Sequence, residues 1–399
     1  MLGLLKKIPV ISMGTELISG YNKSKSYHYL WFGSLNDADK QPIRWRVLSK
    51  KGNDAFYQDS SGNSCENPLF LLTEDVLGSF PQKEEIKRNV CIKFYNTDPD
   101  ENWDLENPAS IWQGSDARKW CRHFEQVCFT ETERSSILST FKSDREYRSK
   151  RDAYNPALPP IKAAPNILNG DKVFFLSFEE AENNEYGFKD KKIYTAEQEW
   201  WTRSFDRYTE YGDFHCLEIG IVLTHFGGLL CAPVGSKMYT RPALNLNHSQ
   251  VLFASAAVDG KEQGLPQNPA VLKKVPKMPE KKVKDWKLTL IEEKRKGFSV
   301  GKPRIQGNLL FVPFQNAVAY EPSLAPNERV SAIVLDSGGT DLKYYGNIAL
   351  PVSPNGEAQI DLSSIALETG DRLFVFSEQC NRNRRTDYAS RPVEVDLNQ

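Results

Sequence analysis

The sequence has almost no excess charge, with 51 Lys and Arg against 52 Asp and Glu and a formal net charge of -1. Such a balance supplies no global field toward DNA or an anionic membrane, so nucleic acid is not an expected partner. Long apolar runs are missing as well. Nothing approaches the roughly 20 residues that cross a bilayer, so no membrane span is expected. The opening stretch, Met1 to Ile11, places its lysines after a short apolar run and lacks a small-residue cleavage site, the wrong order for a secretory signal. Paired cysteine spacing is absent too. The 7 cysteines (Cys65, Cys91, Cys121, Cys128, Cys216, Cys231 and Cys380) are odd in number and irregular in spacing. An odd set cannot pair completely within one chain. Cys121 and Cys128, if they share a helix, lie about 10.5 Å apart along its axis, beyond the ~7 Å that a disulfide tolerates. Free thiols are therefore expected, and they favour a cytoplasmic or particle-associated chain.

Catalytic and metal-binding signatures are equally scarce. Cys121-Arg-His123 and His215-Cys216 are the closest Cys/His groupings, and neither has the paired spacing of a four-ligand zinc site. Calcium-lectin tripeptides and EF-hand loops are absent. No cofactor is expected, although calcium held by scattered oxygens stays open. There is no Gly-x-Ser-x-Gly, phosphate-binding glycine loop or His-Glu-x-x-His, so no catalytic residue is assigned.

What the chain does have is globular composition, 40% hydrophobic and 11% aromatic, over 399 residues. That length accommodates two domains. In Pro42-Ile-Arg-Trp-Arg-Val-Leu48 apolar Ile43, Trp45 and Val47 alternate with Arg44 and Arg46, the period of a half-buried strand. Tyr27 to Gly33, Phe70 to Leu72 and Asp171 to Ser177 read as further strands. Ser115 is placed to cap a helix carrying Ala117, Trp120 and Phe124 at helical spacing, and Thr130 with Glu133 forms a capping-box pattern. Residues 259–285 are rich in Gly, Pro and Lys, a linker composition. Beyond them, short strands separated by turns (Trp286–Ile291, Asn308–Phe314, Val330–Leu335, Leu342–Leu350, Ala358–Leu362, Arg372–Ser377, Val393–Leu397) suggest an all-β immunoglobulin-like sandwich. The expected organisation is a recognition domain over 1–258, a linker over 259–285 and a β-sandwich over 286–399.

The order of Trp31-Phe-Gly33, Pro42 to Leu48, Ser115 to Phe124, Asp171 to Ser177, Trp200-Trp-Thr-Arg-Ser204 and Arg241-Pro-Ala-Leu-Asn-Leu246 resembles an uncharacterised bacterial domain family marked by Trp-Trp-x-Arg-Ser and Arg-Pro-Ala elements. That family looks like a branch of the C-type-lectin-like fold, related to formylglycine-generating enzymes and variable proteins. Phe376-Ser-Glu-Gln379, Asn381 and Thr386-Asp-Tyr-Ala-Ser390 resemble the module that often follows it. The resemblance implies an α+β fold class, with a C-type-lectin-like first domain, and favours the cell surface.

It also implies a function. The segment Phe205 to His215 combines Tyr, Arg, Asp and His with almost no aliphatic residues, the composition of paratopes. Trp201, Arg203, Arg207, Tyr208, Tyr211 and His215 are the candidate ligand-binding residues of a non-enzymatic adhesion protein that recognises a protein or carbohydrate. In a strand, adjacent residues face opposite ways, so one of Trp200 and Trp201 would be core and Arg203 would pair with a buried carboxylate. Two alternatives accompany this reading: an assembly component of phage-tail or injection-apparatus type, oligomeric and burying the aromatic loop, and a lectin-fold thiol- or metal-dependent enzyme using Cys216 or Cys231 with His225.

Overall fold

The structure, a computed structural model, describes residues 9–19, 26–79, 85–93, 110–144, 167–188, 199–205, 209–211, 214–216, 218–223, 228–233, 235–261, 265–276 and 283–397, with backbone alone over 205–233. The chain forms two compact units, one of residues 1–18, 29–32 and 248–399, the other of residues 19–28 and 33–247.

Helix formation follows local signals. Helix α1 (Ser110–Gly114) leads into α2 (Asp116–Cys128), whose N-cap Ser115 accepts a hydrogen bond from the Arg118 N–H at 3.0 Å. On α2, Ala117, Trp120, Cys121, Phe124 and Cys128 form the buried stripe expected of an amphipathic helix. Phe124 lies 5.5 Å from Trp120 and 6.3 Å, edge-on, from Trp45, anchoring the helix on the strand Pro42–Ser49. Helix α3 (Glu131–Ser136) opens with a complete capping box, the Glu133 N–H donating to Thr130 Oγ1 at 3.2 Å and the Thr130 N–H donating to Glu133 Oε2 at 2.9 Å. Glu133 Oε1 also accepts from the Gly33 N–H. Gly33 has a φ of 72°, and a Cβ there would sit 2.5 Å from Phe129, so only glycine fits this crossing. Thr130→Ala should cost about 1 kcal/mol of unfolding free energy in a urea titration, the usual value of a lost N-cap; a change below a few tenths would show that the box contributes nothing.

In the unit of residues 19–28 and 33–247, four antiparallel strands run in the order Val173–Phe174, Ala243–Leu246, Leu69–Thr73 and Pro42–Ser49. Two three-stranded sheets accompany them: Ile167–Asp171, Ser139–Ser143 and Phe56–Gln58; then Trp200–Phe205, Glu218–Leu223 and Gly228–Pro233. Helix α4 (Phe178–Glu182) carries a second capping box, between Ser177 and Glu180.

The other unit is mixed. Asp285–Ile291 pairs antiparallel with Val251–Ala256 along one edge, and in parallel with residues 29–31 and then with Asp387–Ala389 along the other. The ladder continues antiparallel through Arg372–Gln379, Glu328–Leu335 and Leu342–Ala349. A smaller sheet of Ser299–Val300, Leu309–Gln315, Arg304–Gln306 and Gly356–Asp361 packs Leu310, Val312, Ala358 and Ile360 against Val330, Ala332, Val334 and Val375. The opposite face of the central strand puts Ile333 and Leu335 with Phe253, Tyr345 and Phe376. Glu328–Leu335 is accordingly buried at every position.

These observations overturn the α+β, C-type-lectin-like expectation. Strand accounts for 43% of the structure and helix for 13%, in four α-helices among the described residues. Segments whose polar, aromatic composition suggested loops are paired into strands, and most helices are too short to form a layer. The immunoglobulin-like expectation for residues 286–399 fails with it. Asp285–Ile291 takes parallel partners, and its antiparallel partner is Val251–Ala256, which precedes the expected sandwich. Within residues 259–285, Ala270, Leu272 and Val275 are buried in the two apolar cores and Lys273–Lys274 pairs with Leu342–Ala349. Among the described residues no helix is long and apolar enough to cross a membrane.

Candidate functional site

The Trp-Trp-Thr-Arg-Ser element begins the strand Trp200–Phe205, and its first five residues are all fully buried. Trp201, a candidate ligand platform, instead donates its indole N–H to the Ile92 carbonyl at 3.0 Å. Trp200 packs edge-on against Phe188 and lies under the Arg241 guanidinium. Both indoles are internal because this strand is covered on both faces, which removes the alternation that an exposed sheet would show.

Arg203, the second candidate contact, is the centre of an internal ion cluster. Its Nε and Nη2 donate to the two Asp144 oxygens at 2.8 and 2.9 Å, and Nη1 donates to Glu180 Oε2 at 2.7 Å and to the Phe175 carbonyl. Glu180 in turn accepts from Lys142 Nζ at 3.0 Å and from Asn53 Nδ2 at 2.6 Å. Asn53 is held by Tyr57 and Asn245. Two cations balance two carboxylates, so the cluster is neutral as a whole. Burial alone would raise the Glu180 carboxyl, but the Arg203 and Lys142 charges outweigh it and hold it down at about 2. Trp201 and Arg203 are thus withdrawn from the ligand-binding set. They brace the strand that leads into the aromatic segment.

Arg207 and Tyr208 lie outside the described residues. Tyr211 and His215 fall on a two-stranded antiparallel ribbon, Thr209–Tyr211 with Phe214–Cys216, paired Thr209 with Cys216, Glu210 with His215 and Tyr211 with Phe214. Among the described residues this ribbon hydrogen-bonds to no other strand. Its pairing divides residues 209, 211, 214 and 216 from residues 210 and 215, one set to each face.

Cys65, Cys91, Cys121, Cys128 and Cys380 are free thiols. Burial pushes Cys121, Cys128 and Cys380 up, away from the reactive thiolate. Cys216 and Cys231 are placed by backbone alone, and His225 lies outside the described residues. Among the described residues no group of three or more His, Cys, Asp or Glu is set to hold a metal ion.

Sequence reasoning missed two further buried clusters. Arg295 joins Glu292 and Glu328, and Lys261 meets Glu378 and Asp387. The visible signal for the second lay in the Phe-Ser-Glu-Gln and Thr-Asp-Tyr-Ala-Ser segments, whose acids are interior. Arg384 in the intervening basic turn is exposed, with its guanidinium over the Trp31 ring. Comparison of the chain with protein-family models, with curated proteins and with solved structures finds no match.

Proposed function

We propose that the chain is a non-enzymatic binding protein that recognises a protein or carbohydrate ligand through the segment from Arg207 to Cys216, as a member of the Trp-Trp-x-Arg-Ser and Arg-Pro-Ala family. The observation that carries this reading is the contrast between ribbon and base. Thr209–Tyr211 and Phe214–Cys216 pair only with each other among the described residues, while the strand feeding them is locked internally through Trp201 and Arg203. Recognition surfaces gain affinity when Tyr-rich contacts stand on a rigid support, because less conformational entropy is lost on binding. Arg207, Tyr208, Tyr211 and His215 are the contact residues of this reading.

A glycan array and surface-display partner selection supply the ligand, and titration then measures its dissociation constant. Tyr208→Ala, Tyr211→Ala and His215→Ala combined should weaken binding at least tenfold, about 1.4 kcal/mol, with the melting temperature nearly unchanged. Equal loss of affinity and stability would reject the segment as a specific contact. Loss of a self-assembled species, with ligand affinity retained, would move the assignment to an assembly component.

A further inference from the structure

We propose that the chain forms an internal amide bond between the Lys261 side chain and the Asp387 carboxyl group, with Glu378 carrying the protons. This inference is independent of the ribbon.

Lys261, Glu378, Asp387 and Lys287 are each no more than 3% exposed. They converge from separate segments. Lys261 is fixed by its neighbour Gly260, whose carbonyl accepts from the Val10 N–H; a Cβ at Gly260 would lie 2.4 Å from the Ala256 carbonyl oxygen. Glu378 is on Arg372–Gln379, and Asp387 opens Asp387–Ala389 directly beside Thr289. Nζ of Lys261 contacts Glu378 Oε1, donates to Thr289 Oγ1 at 2.8 Å and lies 2.8 Å from Asp387 Oδ2. The rings of Phe253 and Tyr345 lie 5.9 and 5.8 Å from it.

The two Asp387 oxygens differ. Oδ1 accepts from the Asn381 N–H at 2.7 Å and from Lys287 Nζ at 2.8 Å, two donors suited to a developing oxyanion. Oδ2 has no hydrogen-bond donor although it is buried and beside the Lys261 nitrogen. The first oxygen is therefore set to remain and the second to leave. Glu378 is placed for proton transfer, its Oε1 on Lys261 and its Oε2 accepting from Ser331 and Tyr345 at 2.9 Å each.

Burial disfavours the Lys261 ammonium, but Asp387 and Glu378 outweigh it and hold the charge, so a proton has to move before the nitrogen can attack. Glu378 takes one proton from Nζ and delivers it to Asp387 Oδ2. The freed amine lone pair adds to Cγ, forming the C–N bond and placing charge on Oδ1. A second Nζ proton passes through Glu378 to Oδ2, the Cγ–Oδ2 bond breaks, and water departs. One ammonium and one carboxylate become one amide and one water, with Glu378 returned to its carboxylate and no oxidant involved. Fixed proximity in a dry site is the condition under which such a condensation runs without activation by a cofactor.

Intact-mass measurement on the denatured full-length chain tests this directly. The expected mass is below that of the sequence by one water, and fragmentation should yield a branched peptide joining residues 261 and 387. Lys261→Met and Glu378→Gln should restore the full sequence mass. Asp387→Asn should instead lose one ammonia, since nitrogen then occupies the leaving position, or show its full mass. A wild-type chain at full sequence mass overturns the proposal whatever the variants do. A water loss retained in Asp387→Asn, or a branch mapping to residue 378, overturns it equally.

Discussion

Arg203→Ala is expected to lower the unfolding free energy by about 3–5 kcal/mol at neutral pH, the usual cost of removing one partner from a buried ion cluster. The side chain supplies bonds to Asp144, Glu180 and the Phe175 carbonyl at a site that is fully buried. Without it, Lys142 alone faces two carboxylates, at 3.0 Å from Glu180 and 3.9 Å from Asp144. One acid must then take up a proton in the folded state, so its folded pKa rises above the unfolded value. Such a group favours folding most at low pH and loses that contribution as the pH climbs through the raised pKa. The deficit of the variant should therefore be smaller near pH 4 than at pH 7. Urea titrations of both chains at the two values check this, and a deficit that does not change with pH would assign the loss to packing alone.

Arg295→Ala should be comparably costly in the other unit, again by about 3–5 kcal/mol. Its fork donates to both Glu328 oxygens at 2.7 and 2.9 Å, its Nε donates to Glu292 at 2.8 Å, and a contact to Ser377 Oγ completes the set. Glu328 is 2% exposed and Glu292 7%, so truncation strands the Glu328 carboxylate and leaves Glu292 with Lys294, 3.0 Å from its Oε1. Arg295→Lys retains the charge but lacks the planar fork and should recover part of the loss. Arg295→Met with Glu292→Gln and Glu328→Gln should lose less than Arg295→Ala, because no buried charge is left alone. If the single and triple variants lost equal stability, uncompensated charge would not be the cause.

Local sequence carried the caps and the alternating strands. Ser115 and the Thr130–Glu133 pair act on backbone within three residues, so their signal is complete in the local sequence. Asp144 and Glu180 could not be identified as the acids that hold Arg203, because they are 59 and 23 positions away and nothing in their own neighbourhoods marks them as interior. The Trp200–Trp201 pair misled for a related reason: alternation assigns one indole outward, whereas coverage of both faces buries both. Lys273 and Lys274 gave their segment the composition of a linker, though Ala270, Leu272 and Val275 fill core positions. Of the six candidate contacts, the two in the regular strand proved internal. The ribbon that carries Tyr211 and His215 was beyond reach of composition, which reads an aromatic, charged segment as a loop.

The strand Ile11–Met13 pairs with residues 253–255, and this order has a consequence for synthesis. Leaving the ribosome before its partner, that strand waits through roughly 240 further residues until its neighbour exists, on the order of ten to fifty seconds at about 5–20 residues per second. During that interval the residues of the other unit, 19–28 and 33–247, leave the ribosome. The apolar Ile11 meanwhile has no native partner and stays available to chaperones.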